Sequence, residues 1–312
     1  MASRTNKKKT KRKWPYWLGG ILLLFLLIGG GFIFYIWNVL NSTVDSMHTP
    51  LERDQDPELQ KEIDGTFSNN RSINALLLGI DQEDSDRGRS DTIILLSINP
   101  KTESMIMFSI PRDTYVEMPG RGMDKINHAY AFGGVDLAIE TVENTFDIPI
   151  HTYGRVNMEG FKQGIDAIDG VTINNTMEFS QGGSDFPAGE IDLNGEEALD
   201  FIRMRKEDPK GDLGRNERQR EVITAAMDKA ASFSNITKVN EILNILDTNV
   251  QTNLDMKKIQ TLFTDYLGAR KNIETLELEG SGQTMGGIWY YVVPDEEFDR
   301  ITTEINDHME AE

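Results

Sequence analysis

Thr92-Ile-Ile-Leu-Leu-Ser-Ile-Asn-Pro-Lys-Thr-Glu-Ser-Met-Ile-Met-Phe-Ser-Ile110 holds two apolar runs around the turn-forming Asn99-Pro-Lys-Thr102. Runs of this length, rich in Ile and Leu and broken by Asn-Pro, predict two strands paired as an antiparallel hairpin. Upstream, Ile73-Asn-Ala-Leu-Leu-Leu78 ends at Gly79 and predicts another strand. Downstream, Val135 to Phe146 places Leu137, Ile139, Val142 and Phe146 at helical spacing, Thr152 to Val156 suits a strand, and Met158 to Ile168 suits a helix. Asn194 with Glu197 forms a capping-box pattern before Ala198-Leu-Asp-Phe-Ile202. Gly280 to Gly287 is expected as a loop, followed by a strand through Trp289 to Val293 and a last helix from Pro294. The order predicts an α/β domain, a mixed sheet covered by helices.

This domain, expected over residues 73–312, is strongly acidic. Residues 1–13 carry seven basic residues and no acid, so the rest has 25 basic against 51 acidic residues. Such a surface repels nucleic acid and anionic membranes at long range, so a bound anion needs a local cluster of cations.

Trp14 to Leu40 contains no charge, with aromatic residues near both ends. At about 1.5 Å per residue it is long enough to cross a hydrocarbon core of roughly 30 Å. The apolar stretch is too long for a cleaved signal peptide, and the next alanine is Ala75. The expected layout is a basic cytoplasmic segment (1–16), a membrane span (17–40) and a polar stalk (41–72), partly helical from Pro57. The positive end lies in the cytoplasm and the acidic domain outside it. The chain has no cysteine, which excludes a lipoprotein and fits an exported protein without disulfides or a cytosolic one.

The polar residues fall at the ends of predicted elements. Asp81 follows the first strand, while Arg89 and Asp91 precede the second, so both acids reach one sheet edge. Two carboxylates there suit Mg2+, with phosphate and water completing its shell, although loop acids are common in so acidic a chain. Arg112 and Asp113 follow the third strand, and Arg203 and Arg205 are two residues apart. Arg215, Arg218 and Gln219 share one face of a helix beginning near Asn216, where free N–H groups favour phosphate. Taken singly, any of these arginines reads as a surface salt bridge. Their joint position at strand ends and a helix start points to an oxyanion larger than a carboxylate, such as a diphosphate. Lys125, Asn127 and His128 sit in a further such loop.

These stretches resemble the LytR-CpsA-Psr family of bacterial cell-envelope proteins. The likeness is carried by Leu76-Leu-Leu-Gly-Ile-Asp81, Arg89-Ser-Asp-Thr-Ile93, Ser109-Ile-Pro-Arg-Asp-Thr-Tyr115 and Lys125-Ile-Asn-His-Ala-Tyr-Ala-Phe-Gly-Gly134. It continues through Leu193-Asn-Gly-Glu-Glu-Ala-Leu199 and the run from Arg203 to Arg220, whose wording is similar to that of the teichoic-acid-attaching members.

The resemblance implies a single-pass protein of a Gram-positive type cell membrane, with its catalytic domain outside. That domain would transfer an anionic glycopolymer from undecaprenyl diphosphate to the C6 hydroxyl of N-acetylmuramic acid in peptidoglycan. Asp81 and Asp91 would then hold Mg2+, or Mn2+ in its place. Arg89, Arg112, Arg203, Arg205, Arg215 and Gln219 would hold the diphosphate, with Lys125 added as a further cation. Arg218 has no assigned contact. Arg89 and Arg112 are orienting candidates, and Asp113 and Asp212 are general-base candidates. The prenyl chain would need an apolar tunnel, sought among Val135 to Phe146 and Val222 to Ala231. The alternatives are a membrane-anchored binding or regulatory protein for prenyl-diphosphate lipid and a prenyl diphosphatase.

Overall fold

The structure, a computed structural model, describes residues 38–81, 88–232 and 238–312. The basic segment and nearly all of the expected span lie outside the described residues. Among those described, no helix is long and apolar enough to cross a membrane.

Helix α1 (38–47) and helix α2 (Pro57–Ser68) precede strands β1 (Ile73–Ile80), β2 (Ser90–Asn99) and β3 (Ser104–Ser109). A hairpin of β4 (Tyr115–Met118) and β5 (Gly122–Lys125) leads to α3 (His128–Phe146), β6 (Thr152–Asn157) and α4 (Met158–Ala167). Four short strands follow, β7 (Val171–Asn175), β8 (Phe179–Gln181), β9 (Ser184–Phe186) and β10 (Gly189–Leu193), and then α5 (Gly195–Arg203) and α6 (Asp212–Ser232). The last part holds α7 (Val239–Asn249), β11 (Val250–Thr252), α8 (Met256–Thr261), β12 (Ile273–Leu276), β13 (Ser281–Met285), β14 (Ile288–Val292) and α9 (Asp295–Glu310).

The central sheet has the order β11-β6-β1-β2-β3-β12. β1, β2 and β3 run antiparallel in sequence, as the hairpin reading expects, whereas β6 is parallel to β1 and β12 to β3. The expected mixed sheet is therefore present. Because side chains alternate along a strand, each strand feeds two cores. Leu76, Leu78, Ile80, Ile93, Leu95, Ile106 and Phe108 pack with α3 and α9, through residues such as Ile139, Phe146 and Ile301. Ile73, Ala75, Ile94, Leu96, Met105 and Met107 pack on the other face with Ile63, Phe67 and Tyr266. A third cluster joins α5, Val222 of α6 and the short strands.

Three expectations change. Residues 41–72 are not a stalk, because the folded unit begins at Thr43. Leu51, Ile63 and Phe67 are buried in the main cores, and Arg53 pairs with Glu143 at 2.6 Å. The few apolar residues of α2, Leu59, Ile63 and Phe67, are four apart and form one stripe, a signal that average polarity hides. Helix α3 starts at His128 rather than Val135. Gly133 and Gly134 interrupt it, and Gly134, at φ 65° and ψ −152°, is in a conformation open essentially to glycine. Finally, Gly280 to Gly287 is mostly strand, since β13 pairs with β14 around the positive-φ turn Gly286-Gly287.

Candidate active site: cations beside an apolar cavity

The sheet topology brings the predicted residues to one edge. β1 ends there, β2 begins there, and parallel β6 ends there, with Ile80 opposite Asn157. Antiparallel β3 returns to the same edge, so Arg112 arrives beside Asp91, Nη1 to Oδ1 at 2.8 Å. The capping box at Asn194 and Glu197 forms as the spacing predicts and starts α5, whose last residue is Arg203. Met204 is extended, so the chain leaves the helix there and carries Arg205 and Lys206 past the same edge before α6 begins.

Here lies a cavity of about 600 Å3. Its polar lining includes Asp81, Asp91, Arg112, Arg203, Arg205, Lys206, Arg215 and Gln219. Its apolar lining comes from Leu77, Val156 and Val250 of the sheet, Met158 and Phe161 of α4, Ile202 and Ile223. Gly154 lies opposite Leu77 in the parallel register, and Gly79 opposite Val156. A Cβ at Gly154 would stand 3.2 Å from Leu77 Cδ2, so the absent side chain is part of the space.

The charges are unbalanced. Six cationic side chains, those of Arg112, Arg155, Arg203, Arg205, Lys206 and Arg215, line the cavity against the carboxylates of Asp81 and Asp91. Burial would lower the Arg112 pKa, but the charge and hydrogen bond of Asp91, aided by Asp212 and Asp113, hold it above its ordinary value. Arg215 is shifted the other way. Burial lowers it most, Asp212 only partly offsets this, and nearby Arg112 and Arg205 lower it further. Cations crowded in this way at a cleft are what a multivalent anion would relieve. Arg215 Nε, Asp212 Oδ1 and Asn216 Nδ2 are also buried without hydrogen-bond partners at the start of α6.

Not every expected residue joins the cavity. Arg89 is exposed outside the lining, and its carbonyl accepts from the Asp81 amide at 3.4 Å. Asp113 also lies outside it, held by Lys125 Nζ at 2.6 Å and Arg112 Nε at 3.5 Å. With one oxygen on Lys125 and the other on Arg112, and outside the lining, Asp113 is poorly placed to act as the base. Asp212 sits behind the lining, paired with Arg215 at 3.0 Å and 3.9 Å from Arg205. Arg218 proves structural: it bonds Asp208 at 2.5 Å and the Met204 carbonyl at 2.6 Å, beneath the segment carrying Arg205.

Val135 to Phe146 does not line the cavity, because α3 covers the opposite face of the sheet; Ile223 is the lining residue that α6 supplies from Val222 to Ala231. Sequence reasoning missed Lys206, which stood inside a quoted motif, Arg155, which stood inside a predicted strand, and the pair Met158 and Phe161. Their spacing reads equally well as helix core.

Asp81 Oδ1 accepts from Arg203 at 3.3 Å and Asp91 Oδ1 from Arg112 at 2.8 Å, which among the described residues leaves the second oxygen of each for a cation. Among the described residues no group of three or more His, Cys, Asp or Glu could hold a metal alone. Two hard carboxylates in one cavity nevertheless fit Mg2+ that shares its shell with phosphate and water.

The chain belongs to the LytR-CpsA-Psr family, since residues 34–307 match the profile of the LytR_cpsA_psr family. Within it, the chain is similar to the polyisoprenyl-teichoic acid–peptidoglycan teichoic acid transferase TagU of Oceanobacillus iheyensis, 61% identical with 100% of each chain covered. It also resembles the crystal structure of B. subtilis TagU, with a TM-score of 0.63 and 40% identity over 78% of this chain and 98% of that one. TagT bound to LIIa-WTA gives a TM-score of 0.65 and 32% identity, over 77% and 92% of the two chains.

Proposed function

We propose that this protein transfers a teichoic acid chain from a polyisoprenyl diphosphate carrier to peptidoglycan. The observation that carries the reading is the cavity itself, in which an apolar floor of sheet and helix residues adjoins six cations. That combination suits one ligand with a prenyl chain and a diphosphate. The named activity of the TagU relatives supports the same reaction.

The acceptor is the C6 hydroxyl of N-acetylmuramic acid. Its oxygen bonds to the phosphorus next to the glycopolymer, the bond from that phosphorus to the bridging oxygen breaks, and undecaprenyl phosphate leaves with the electron pair. A phosphodiester results. Arg112, Arg203, Arg205 and Arg215 stabilise charge on the equatorial and leaving oxygens, with Gln219 donating alongside them. The hydroxyl proton passes to solvent. Asp81 and Asp91 would hold Mg2+, which would supply further positive charge to the diphosphate. Cleavage of the carrier diphosphate drives the reaction without a nucleotide. The uncharged stretch 17–40 is the membrane span, with the basic end in the cytoplasm and the folded unit on the outer side, where both substrates meet.

The test is incubation of the full-length chain in detergent with Mg2+, a lipid-linked teichoic acid precursor and peptidoglycan oligomers. Polymer joined to glycan supports the transferase; free phosphorylated polymer would indicate a hydrolase, and bound but intact lipid a binding protein. Asp91→Ala and Arg112→Ala should each cut transfer by about a hundredfold or more with the fold retained. Normal turnover in either variant would refute the site.

A further inference from the structure

A second surface begins one carboxylate away from the cavity. Asp113 touches Arg112 on one side and Lys125 on the other, at 3.5 and 2.6 Å. Arg112 lines the cavity, but Lys125 lies outside it with its ammonium 5.6 Å from the Tyr290 ring centroid. Tyr290 meets Tyr115 edge to face at 4.8 Å. Next to Lys125, Asp124 holds His128 at 2.9 Å, and His128 stands edge to face with Phe132 at 5.9 Å. Phe132 is 48% exposed, with Arg121 over its ring at 4.7 Å.

This surface is tied by backbone to the loop that bears Arg112. The Asn127 amide donates to the Arg112 carbonyl at 3.2 Å, Ile126 to Thr114 at 2.9 Å, and Tyr291 to Asp113 at 2.9 Å. The reaction proposed above uses none of Tyr115, Tyr290, His128 or Phe132.

We infer that this surface binds pyranose rings of the acceptor glycan adjoining the reacting sugar, an inference that rests on the transferase reading. A pyranose has C–H faces and a rim of hydroxyl and acetamido groups. The surface offers a matching alternation, with aromatic rings whose negative faces attract polarised C–H bonds and hydrogen-bonding groups between them. Its position fits as well, because a glycan laid across it reaches the cavity beside Arg112. A polyanion is disfavoured by the acidic domain, whose carboxylates here include Asp113 and Asp124. Charges at the centre of the surface, on Lys125 and Asp124, also argue against a self-association interface, whose core is normally depleted of them.

Phe132→Ala and Tyr290→Ala in the full-length chain are the test. Each should raise the KM for peptidoglycan oligomers about tenfold, with kcat and affinity for the prenyl-diphosphate lipid unchanged. A purely structural role would instead lower the thermal midpoint and the lipid affinity together. Calorimetry with an N-acetylglucosamine–N-acetylmuramic acid oligomer reads the surface even if no transfer occurs, so failure of the transferase reading is separable from failure of this one. Weaker oligomer binding in the variants supports the surface. Unchanged acceptor KM and oligomer binding in both variants would overturn it. So would a loss, in the variants, of binding to anionic vesicles or of self-association in sedimentation, with oligomer binding intact.

Discussion

The two faces of the central sheet are made by the same strands and end differently. On one face Leu76, Leu78, Leu95 and Phe108 are at most 1% exposed, and Phe108 meets Phe146 of α3 edge to face at 5.2 Å. On the other, Ile73, Ile94 and Met107 are sealed equally well, but beyond them Leu77, Gly79 and Gly154 border the cavity. Alternation along the strand decides which face a residue serves, and glycine at two cavity-facing positions keeps space there. The largest expected effect is therefore on the sealed side. Phe108→Ala should cost about 3–5 kcal/mol, read from urea denaturation. A loss below about 1 kcal/mol would mean that this face is not the close-packed one.

The comparison repeats on α6, where Arg215 and Arg218 are three residues apart and both nearly buried. Arg215 lines the cavity among other cations, whereas Arg218 is locked between Asp208 and the Met204 carbonyl, with Phe179 5.6 Å from its guanidinium. Removing Arg218 strands a buried carboxylate, so Arg218→Ala should destabilise by about 3 kcal/mol. Arg215→Ala should leave stability closer to wild type while transfer falls about a hundredfold. Equal stability losses for the two would erase the distinction between cavity and support.

A third contrast lies along β1 itself. At the end remote from the cavity, the Asn74 amide donates to His151 Nδ1 at 3.0 Å, which requires that nitrogen to be unprotonated. Burial, with the neighbouring Arg53 charge, pushes the His151 pKa down to about 4. The unfolded chain binds this proton near pH 6.5, so the stabilisation is complete above that pH and is lost as pH falls toward 4. Between pH 7 and 4.5 the wild type should lose about 2 kcal/mol more than His151→Gln. Parallel pH curves would show that His151 titrates normally in the folded chain.

Much of this was legible in the sequence, because strands with Ile and Leu runs and a capping box declare themselves locally. The hairpin of β2 and β3 and the arrival of Asp81, Asp91 and Arg112 at one edge follow from turn chemistry and strand order. Arg218 could not be separated from Arg215, since both fit the same helical face and only the path of residues 204–211 tells them apart. The apolar lining was hidden for a similar reason. Met158, Phe161 and Ile202 have core spacing, and their position beside an opening depends on Gly79 and Gly154 in distant strands. The segment before β1 was misread because its three-residue apolar stripe is diluted by acidic neighbours.

Gly154 gives the smallest expected effect on stability and the sharpest test of why one face is open. If the position were glycine for backbone reasons, valine would disrupt the sheet; Gly154, however, is not among the positive-φ glycines. Valine is favoured in strands, and its nearest conflict is the flexible end of Leu77. Gly154→Val should therefore change stability by less than about 1 kcal/mol. The added methyls would occupy the floor where the prenyl chain is proposed to lie, so affinity for the diphosphate lipid should fall about tenfold, while a short-chain analogue that does not reach the floor keeps its affinity. Equal losses for both lengths would mean that the valine acts through the cations at the sheet edge, and the open face would then need another explanation.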